Sequence, residues 1–71
     1  MEIINISTPT IQLDQLLKWA GIAESGGQVK LFIDDGLILL NGTKVHERRK
    51  KIHPGDIIEI KEMGTWKVMA E

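Results

Sequence analysis

The sequence contains no cysteine. This excludes a disulfide scaffold, a thiolate metal site and a cysteine nucleophile together, and it fits a reducing compartment, the cytosol. Aromatic residues are nearly as scarce: Trp19, Phe32 and Trp66 are all there are. The core must therefore be aliphatic, built from isoleucine, leucine and valine. Long apolar runs are missing as well. The longest, Leu37 to Leu40, is four residues, against about 20 for a bilayer-spanning helix. The opening "MEIINIS" has no basic segment followed by an apolar one, so neither a signal peptide nor a membrane segment is expected. Two histidines, His46 and His53, without further ligands at suitable spacing give no expectation of a metal. No Ser-His-Asp order, nucleotide fingerprint or convergent acids appear, so neither an enzyme nor a cofactor is expected. The rest is ordinary for a globular protein, with 42% hydrophobic and 27% charged residues. The 71 residues are read as one small domain, 1–71, with a core large enough to fold but little stability to spare.

What the sequence does have is cations gathered in one place. Net charge is −1, yet "KVHERRKKIHPGD" carries five of the nine lysines and arginines. Four are consecutive, Arg48, Arg49, Lys50 and Lys51, with Lys44 just before them and Glu47 the one acid between. Charges are screened over about 8–10 Å in physiological salt, so the local excess matters more than the total. Like charges in sequence repel unless water, salt or an anionic partner relieves them. The run alone leaves two readings open, a solvated loop or a docking surface for an anion.

Periodicity supplies the frame. Isoleucine-rich "MEIINIS" reads as a short strand, broken by "STPT". Leu13, Leu16, Leu17 and Ala20 then recur as the apolar stripe of an amphipathic helix, with Thr10 as its expected N-cap and Gly21 ending it. Ser25 and Gln28 match the capping-box pattern at the start of a second helix. Val29, Phe32 and Ile33 form its stripe, and Gly36 stops it. Only Gly21 to Glu24 join the helices, which predicts a compact pair. Beyond Gly36 the period becomes that of strands. "LILLNGTKV" centres on Asn-Gly, the strongest short hairpin signal. "HPGD" and "MGT" are further turns, before "IIEIKE" and "WKVMA". The expected order is β-αα-ββ-ββ: an α+β fold with a two-helix unit packed on a small, mostly antiparallel sheet. The basic run falls on an exposed loop between the hairpin and the Pro-Gly turn. An extended chain there would alternate its side chains.

Several of these pieces form an ordered set. Leu13-Asp14, Gly21-Ile22-Ala23-Glu24-Ser25, Gly36, Leu37 to Gly42 and Gly55-Asp56 follow one another at set distances. The set resembles the S-four domain, the RNA-binding family named after ribosomal protein S four, over residues 11–60. "SGGQVK" and "HERRKK" look most like its short stand-alone bacterial members, the YaaA/YbcJ type. The resemblance implies a non-catalytic protein that binds structured RNA, ribosomal RNA first among candidates, through the helix pair and hairpin. Ribosome assembly or association with ribosomal particles, as a cytoplasmic monomer, is the setting it implies. Two departures stand out. Many members begin Arg-Leu-Asp where this chain has Gln12, and many continue the link as Ser-Arg where it has Gly26. That shifts weight onto the cations at 48–51.

The candidate RNA-binding residues follow from both lines. Arg48, Arg49, Lys50 and Lys51 lead, arginine as a bidentate fork and lysine as a point charge. Lys44 lies on the hairpin arm that leads to the run. Gly26 and Gly27 open the second helix, where they either admit a phosphate to free N–H groups or simply let the first helix pass. Lys30 either pairs with Asp34 at i+4 or extends the basic face. Gln12, Gln15 and Trp19 share one side of the first helix, with Gln12 the candidate amide. Trp19 is expected half-buried at the core's edge rather than stacked on a base, and Trp66 is expected in the core. Asp14 and Asp56 are expected to cap or brace turns. Two other classes of function remain: a protein-interaction module docking an acidic partner through the basic loop, and an accessory subunit acting through a sheet edge.

Overall fold

The computed structural model describes residues 1–71. In chain order it contains β1 (Glu2–Ile6), β2 (Ile11–Gln12), α1 (Leu13–Trp19), α2 (Gly26–Asp34), β3 (Ile38–Leu40), β4 (Thr43–Lys44), β5 (Lys51–Ile52), β6 (Ile57–Ile60) and β7 (Gly64–Ala70). The larger sheet runs β1-β7-β6-β3-β4, antiparallel except where β1 lies parallel to β7. The helical pair covers one face of it, as the sequence predicts. The pair β2-β5 was not expected. These two-residue strands, Ile11 opposite Ile52 and Gln12 opposite Lys51, form a separate antiparallel ribbon. They are too short to show a period, and they lie far apart in the chain, Ile11 pairing with Ile52, so no local signal announces them.

The helix boundaries follow hydrogen-bond needs. Thr10 does not cap α1. The helix begins at Leu13, and Gln12 stands at the N-cap without a side-chain bond. The N–H groups of Leu13 and Asp14 instead donate to the carbonyls of Lys50 and Arg48, at 2.8 and 2.9 Å. A distant loop satisfies the free N–H groups that a helix start leaves, so no side-chain cap is needed. At α2, Ser25 Oγ accepts from Gln28 N–H at 3.2 Å, and Gln28 Oε1 accepts from Glu24 N–H at 2.7 Å. The return bond thus reaches one residue before the N-cap. Both helices end at the expected glycines, and Gly36, with φ +71°, takes the left-handed conformation that closes α2.

Asn41 (φ 50°) and Gly42 (φ 86°) both adopt positive φ, the requirement of a tight two-residue hairpin turn between β3 and β4. Asp56 and Asn41 brace it from outside. Asp56 accepts from Asn41 Nδ2 at 3.0 Å and from His53 N–H at 2.8 Å, while Asn41 Oδ1 accepts from Ile57 N–H at 2.8 Å.

The core lies between the sheet and the helices, and it is aliphatic. Leu13, Leu16, Leu17 and Val29 from the helices meet Ile38, Ile58, Ile60 and Val68 from the sheet, all fully buried. Ala20 falls outside this stripe and is exposed. Trp66 is the one aromatic in the core. Trp19 is not at the core's edge: it is 71% exposed. It closes α1 beside the edge strand β1, where the sheet offers its ring little more than the Asn5 carbonyl, 3.4 Å from Nε1. No helix is long and apolar enough to cross a membrane.

Candidate nucleic-acid interface

The basic segment is fixed at both ends by apolar anchors. Val45 is buried and donates its N–H to Ile38 O at 3.0 Å, and Ile52 is fully buried. Between them Lys50 N–H donates to Glu47 O at 3.3 Å, which makes a turn of residues 47–50. The segment is therefore not the extended, alternating loop expected from sequence. Carbonyl groups at 48 and 50 point inward onto α1, which leaves the side chains to project outward. Arg48, Arg49, Lys50 and Lys51 are all exposed. Lys30 pairs with Asp34, and His53 Nδ1 lies 3.7 Å from Asp56 Oδ2; neither contact involves these four.

The turn sends its cations in different directions. Arg48 goes toward α2. Its Nη1 lies 3.5 Å from where a Cβ on Gly26 would sit, and Asp14 Oδ2 lies 3.9 Å from the same point. Arg48 also lines a shallow groove of about 270 Å³ with Lys30, Ile33, Asp34 and His46. Lys50 goes the other way, into a groove of about 390 Å³ beside Lys44, His46 and the β3-β4 turn. Lys51 sits on β5 directly across from Gln12, and both are exposed. His46 borders both grooves, a position that its sequence neighbours do not reveal.

The remaining candidates are placed as follows. Lys44 lies over the end of α2, its Nζ 3.2 Å from a Cβ built on Gly36. An ammonium there complements the negative end of the helix dipole. Lys30 bonds Asp34 at 3.2 Å, the i+4 pair allowed for in the sequence. With these side chains 65% and 55% exposed the pair is weak, but it offsets part of the Lys30 charge. Gly27 is open to solvent, whereas a Cβ on Gly26 would touch Arg48 and Asp14 at ordinary contact distances. A phosphate approaching Gly26 would meet a guanidinium before it met bare backbone.

Asp14 is the residue whose part the sequence conceals. It is 7% exposed, the one charged residue in the interior, and its Oδ1 accepts the Gln15 N–H at 2.8 Å. An acidic residue in a first helical turn is an ordinary signal. That its Oδ2 lies beside Gly26, at the start of the other helix, depends on tertiary structure.

Together these residues form an open cationic surface with two grooves, no enclosed cavity and no cluster of potential metal ligands. Such a surface suits a large polyanion better than a small substrate. The S4 domain family matches residues 4–69. The chain is 36% identical over 66 residues to the probable ribosome maturation protein RlbA of Bacillus subtilis, covering 93% of each. It is 40% identical over 57 residues to the small ribosomal subunit protein uS4 of Kosmotoga olearia, covering 80% of this chain and 27% of that one. Over 51 residues it is 37% identical to uS4 of Aquifex aeolicus, covering 72% and 24%. The chain therefore spans about a quarter of each uS4 protein but nearly all of RlbA.

Proposed function

The chain belongs to the S4 domain family, and on that premise we propose that it is a non-catalytic RNA-binding protein that holds structured ribosomal RNA in the cytoplasm. It acts as one monomeric domain in ribosome maturation or on the ribosomal particle, the setting that the names of its relatives supply. The observation that carries the reading is the segment 48–51: four successive exposed cations in no ion pair, three of them in the turn at 47–50 and Lys51 on β5, held to α1 by main-chain bonds. Folding fixes the backbone that presents them, so binding need not order it. Arg48, Arg49, Lys50 and Lys51 contribute most of the affinity, with Lys44 and Gln12 beside them. Lys30 contributes less because Asp34 already engages it. Gly26 and Gly27 contribute access rather than charge. Phosphate contacts of this kind give affinity and orientation but little sequence information, so choice of RNA comes from its folded shape.

The test is anisotropy of labelled structured fragments tiled across both ribosomal RNAs, titrated at several salt concentrations. With four phosphates neutralised, log K falls against log salt with a slope of about −3 to −4. Changing all four cations at 48–51 to serine should flatten that slope by about two or more. If no fragment binds the folded wild type even at low salt, the RNA reading is overturned. An acidic protein partner then becomes the occupant to seek.

A further inference from the structure

Trp19 stands in water although its ring is one of only three aromatic side chains in the molecule. A large apolar ring left exposed is informative, because burying it would stabilise whatever covered it. Its Nε1–H donates to Asn5 O at 3.4 Å, so the polar edge of the indole is turned to β1 and the rest of the ring stands clear. The surface beside it is a groove of about 200 Å³, lined by Ile6, Ser7, Thr8, Ile11, Gln15 and Trp19. Half of this lining is apolar and half is polar. The Thr8 hydroxyl already donates to Thr10 O at 2.8 Å, which leaves the exposed Gln15 amide as the larger polar group free for a ligand.

This lining suits a flat ring with a polar rim. Gln15 and Trp19 are four residues apart on α1, so their Cβ atoms lie about 5–6 Å from each other on one side of the helix. A ring stacked on the indole has its edge within reach of an amide, which offers a donor and an acceptor together. Unpaired bases are held in this way, by an aromatic face and a bond to the edge. An aliphatic side chain from a partner protein would use the indole and waste the amide. The groove also runs up to the cationic segment. Ile11, part of its lining, pairs with Ile52, and the next residue pair in the ribbon is Gln12 with Lys51. From Gln12 to Trp19 is about 10 Å along the helix axis, short enough for one RNA strand to touch both ends.

We propose that Trp19 and Gln15 form a site for one unpaired nucleobase of the RNA whose phosphates the cationic segment holds. Trp19 stacks on the base and the Gln15 amide bonds its edge. The inference rests on the RNA reading and goes beyond it. Phosphate contacts accept any backbone of the right shape, whereas a base held here requires an unstacked nucleotide at a set distance from those phosphates. An indole that did no more than shield the free edge of β1 would show the same exposure and the same bond to Asn5. The two roles differ in what RNA binding loses when the ring is removed.

The experiment measures anisotropy of the tightest-binding ribosomal RNA fragment at several salt concentrations, with each variant's fold checked by circular dichroism. Trp19→Ala should weaken binding about tenfold, the loss of one stacked base, and leave the slope against log salt as in the wild type. Trp19→Phe keeps an aromatic face and should bind within about threefold of the wild type. Gln15→Ala should weaken binding about threefold. The unpaired nucleotides of the fragment are then made abasic one at a time. One of these changes should cost the wild type about tenfold and Trp19→Ala no more than about twofold, because the partner is already gone. In Trp66→Phe, where Trp19 is the one emitter, the intact fragment should quench the emission and that abasic fragment should not. Trp19→Ala binding as tightly as the wild type, or no abasic position coupled to Trp19, would overturn the base site while leaving RNA binding intact. A wild type that binds no fragment overturns both readings.

Discussion

The carbonyl oxygen of Arg48 accepts the Asp14 N–H at 2.9 Å, while the guanidinium of the same residue lies over Gly26. One loop residue thus meets the starts of both helices, by main chain at α1 and by side chain at α2. The basic segment is consequently part of the helical unit rather than a tether between hairpin and sheet. Its two tasks are also separable: the main chain serves the fold, and the side chains remain for a ligand.

That separation predicts how the loop variants behave. Replacing Arg48, Arg49, Lys50 and Lys51 by serine keeps every carbonyl that α1 uses and removes mutual repulsion. Stability should change by no more than about 0.5 kcal/mol, and a small gain is as compatible as no change. Thermal melting followed by circular dichroism checks this. A loss of several degrees would mean that the side chains themselves hold the loop.

The two tryptophans should behave as opposites. Trp66 fills the aliphatic core, so Trp66→Ala should cost about 3–5 kcal/mol, enough to unfold a marginal domain of this size. Trp19→Ala, at an exposed helix end, should cost about 1 kcal/mol or less. Acrylamide should quench most of the emission of Trp66→Phe, where Trp19 remains, and little of Trp19→Phe. Equal quenching in the two would contradict the exposure difference.

Much of this architecture is legible along the chain because its signals are local. Asn41-Gly42 dictates a tight turn, Ser25 and Gln28 mark a helix start, and alternation at Ile58 and Ile60 fixes which face of β6 is inside. The family is legible too, from the order of such pieces. Three features were not. Ile11-Gln12 and Lys51-Ile52 pair over a long sequence separation with only two residues each. Thr10 looks like a cap until Lys50 and Arg48 supply carbonyls from elsewhere. Trp19 falls on the edge of the apolar stripe, where period alone cannot decide between core and solvent. At the candidate site the cations were visible as a run. Their division between the start of α2, the β2-β5 ribbon and the hairpin groove depends on the turn at 47–50.

The brace between Asn41 and Asp56 carries its own expectation. Asn41→Ala removes the bonds to Asp56 and to the Ile57 N–H and places a Cβ residue without local hydrogen bonding at φ 50°. About 1 kcal/mol per lost bond plus about 1 for the left-handed conformation gives roughly 2–3 kcal/mol. Asn41→Gly relieves the backbone part and should cost about 1 kcal/mol less. Urea denaturation of the two variants separates these contributions, and equal midpoints would mean that the turn is not strained by alanine.

Glu47 offers a change in the opposite direction from every loop variant above. It is the single acid between Lys44 and Lys51, it is exposed, and it takes part in no ion pair. Only its main-chain carbonyl is used, by Lys50. Glu47→Gln therefore keeps the turn while raising the local positive charge, so RNA affinity should rise by about two- to fivefold at low salt. The gain should fade toward 1 M salt, where screening acts over about 3 Å. Anisotropy titrations of both proteins across that salt range check it. Weaker binding by Glu47→Gln at low salt would mean that the carboxylate itself contacts the RNA or positions a cation, and the surface would have to be redrawn around it.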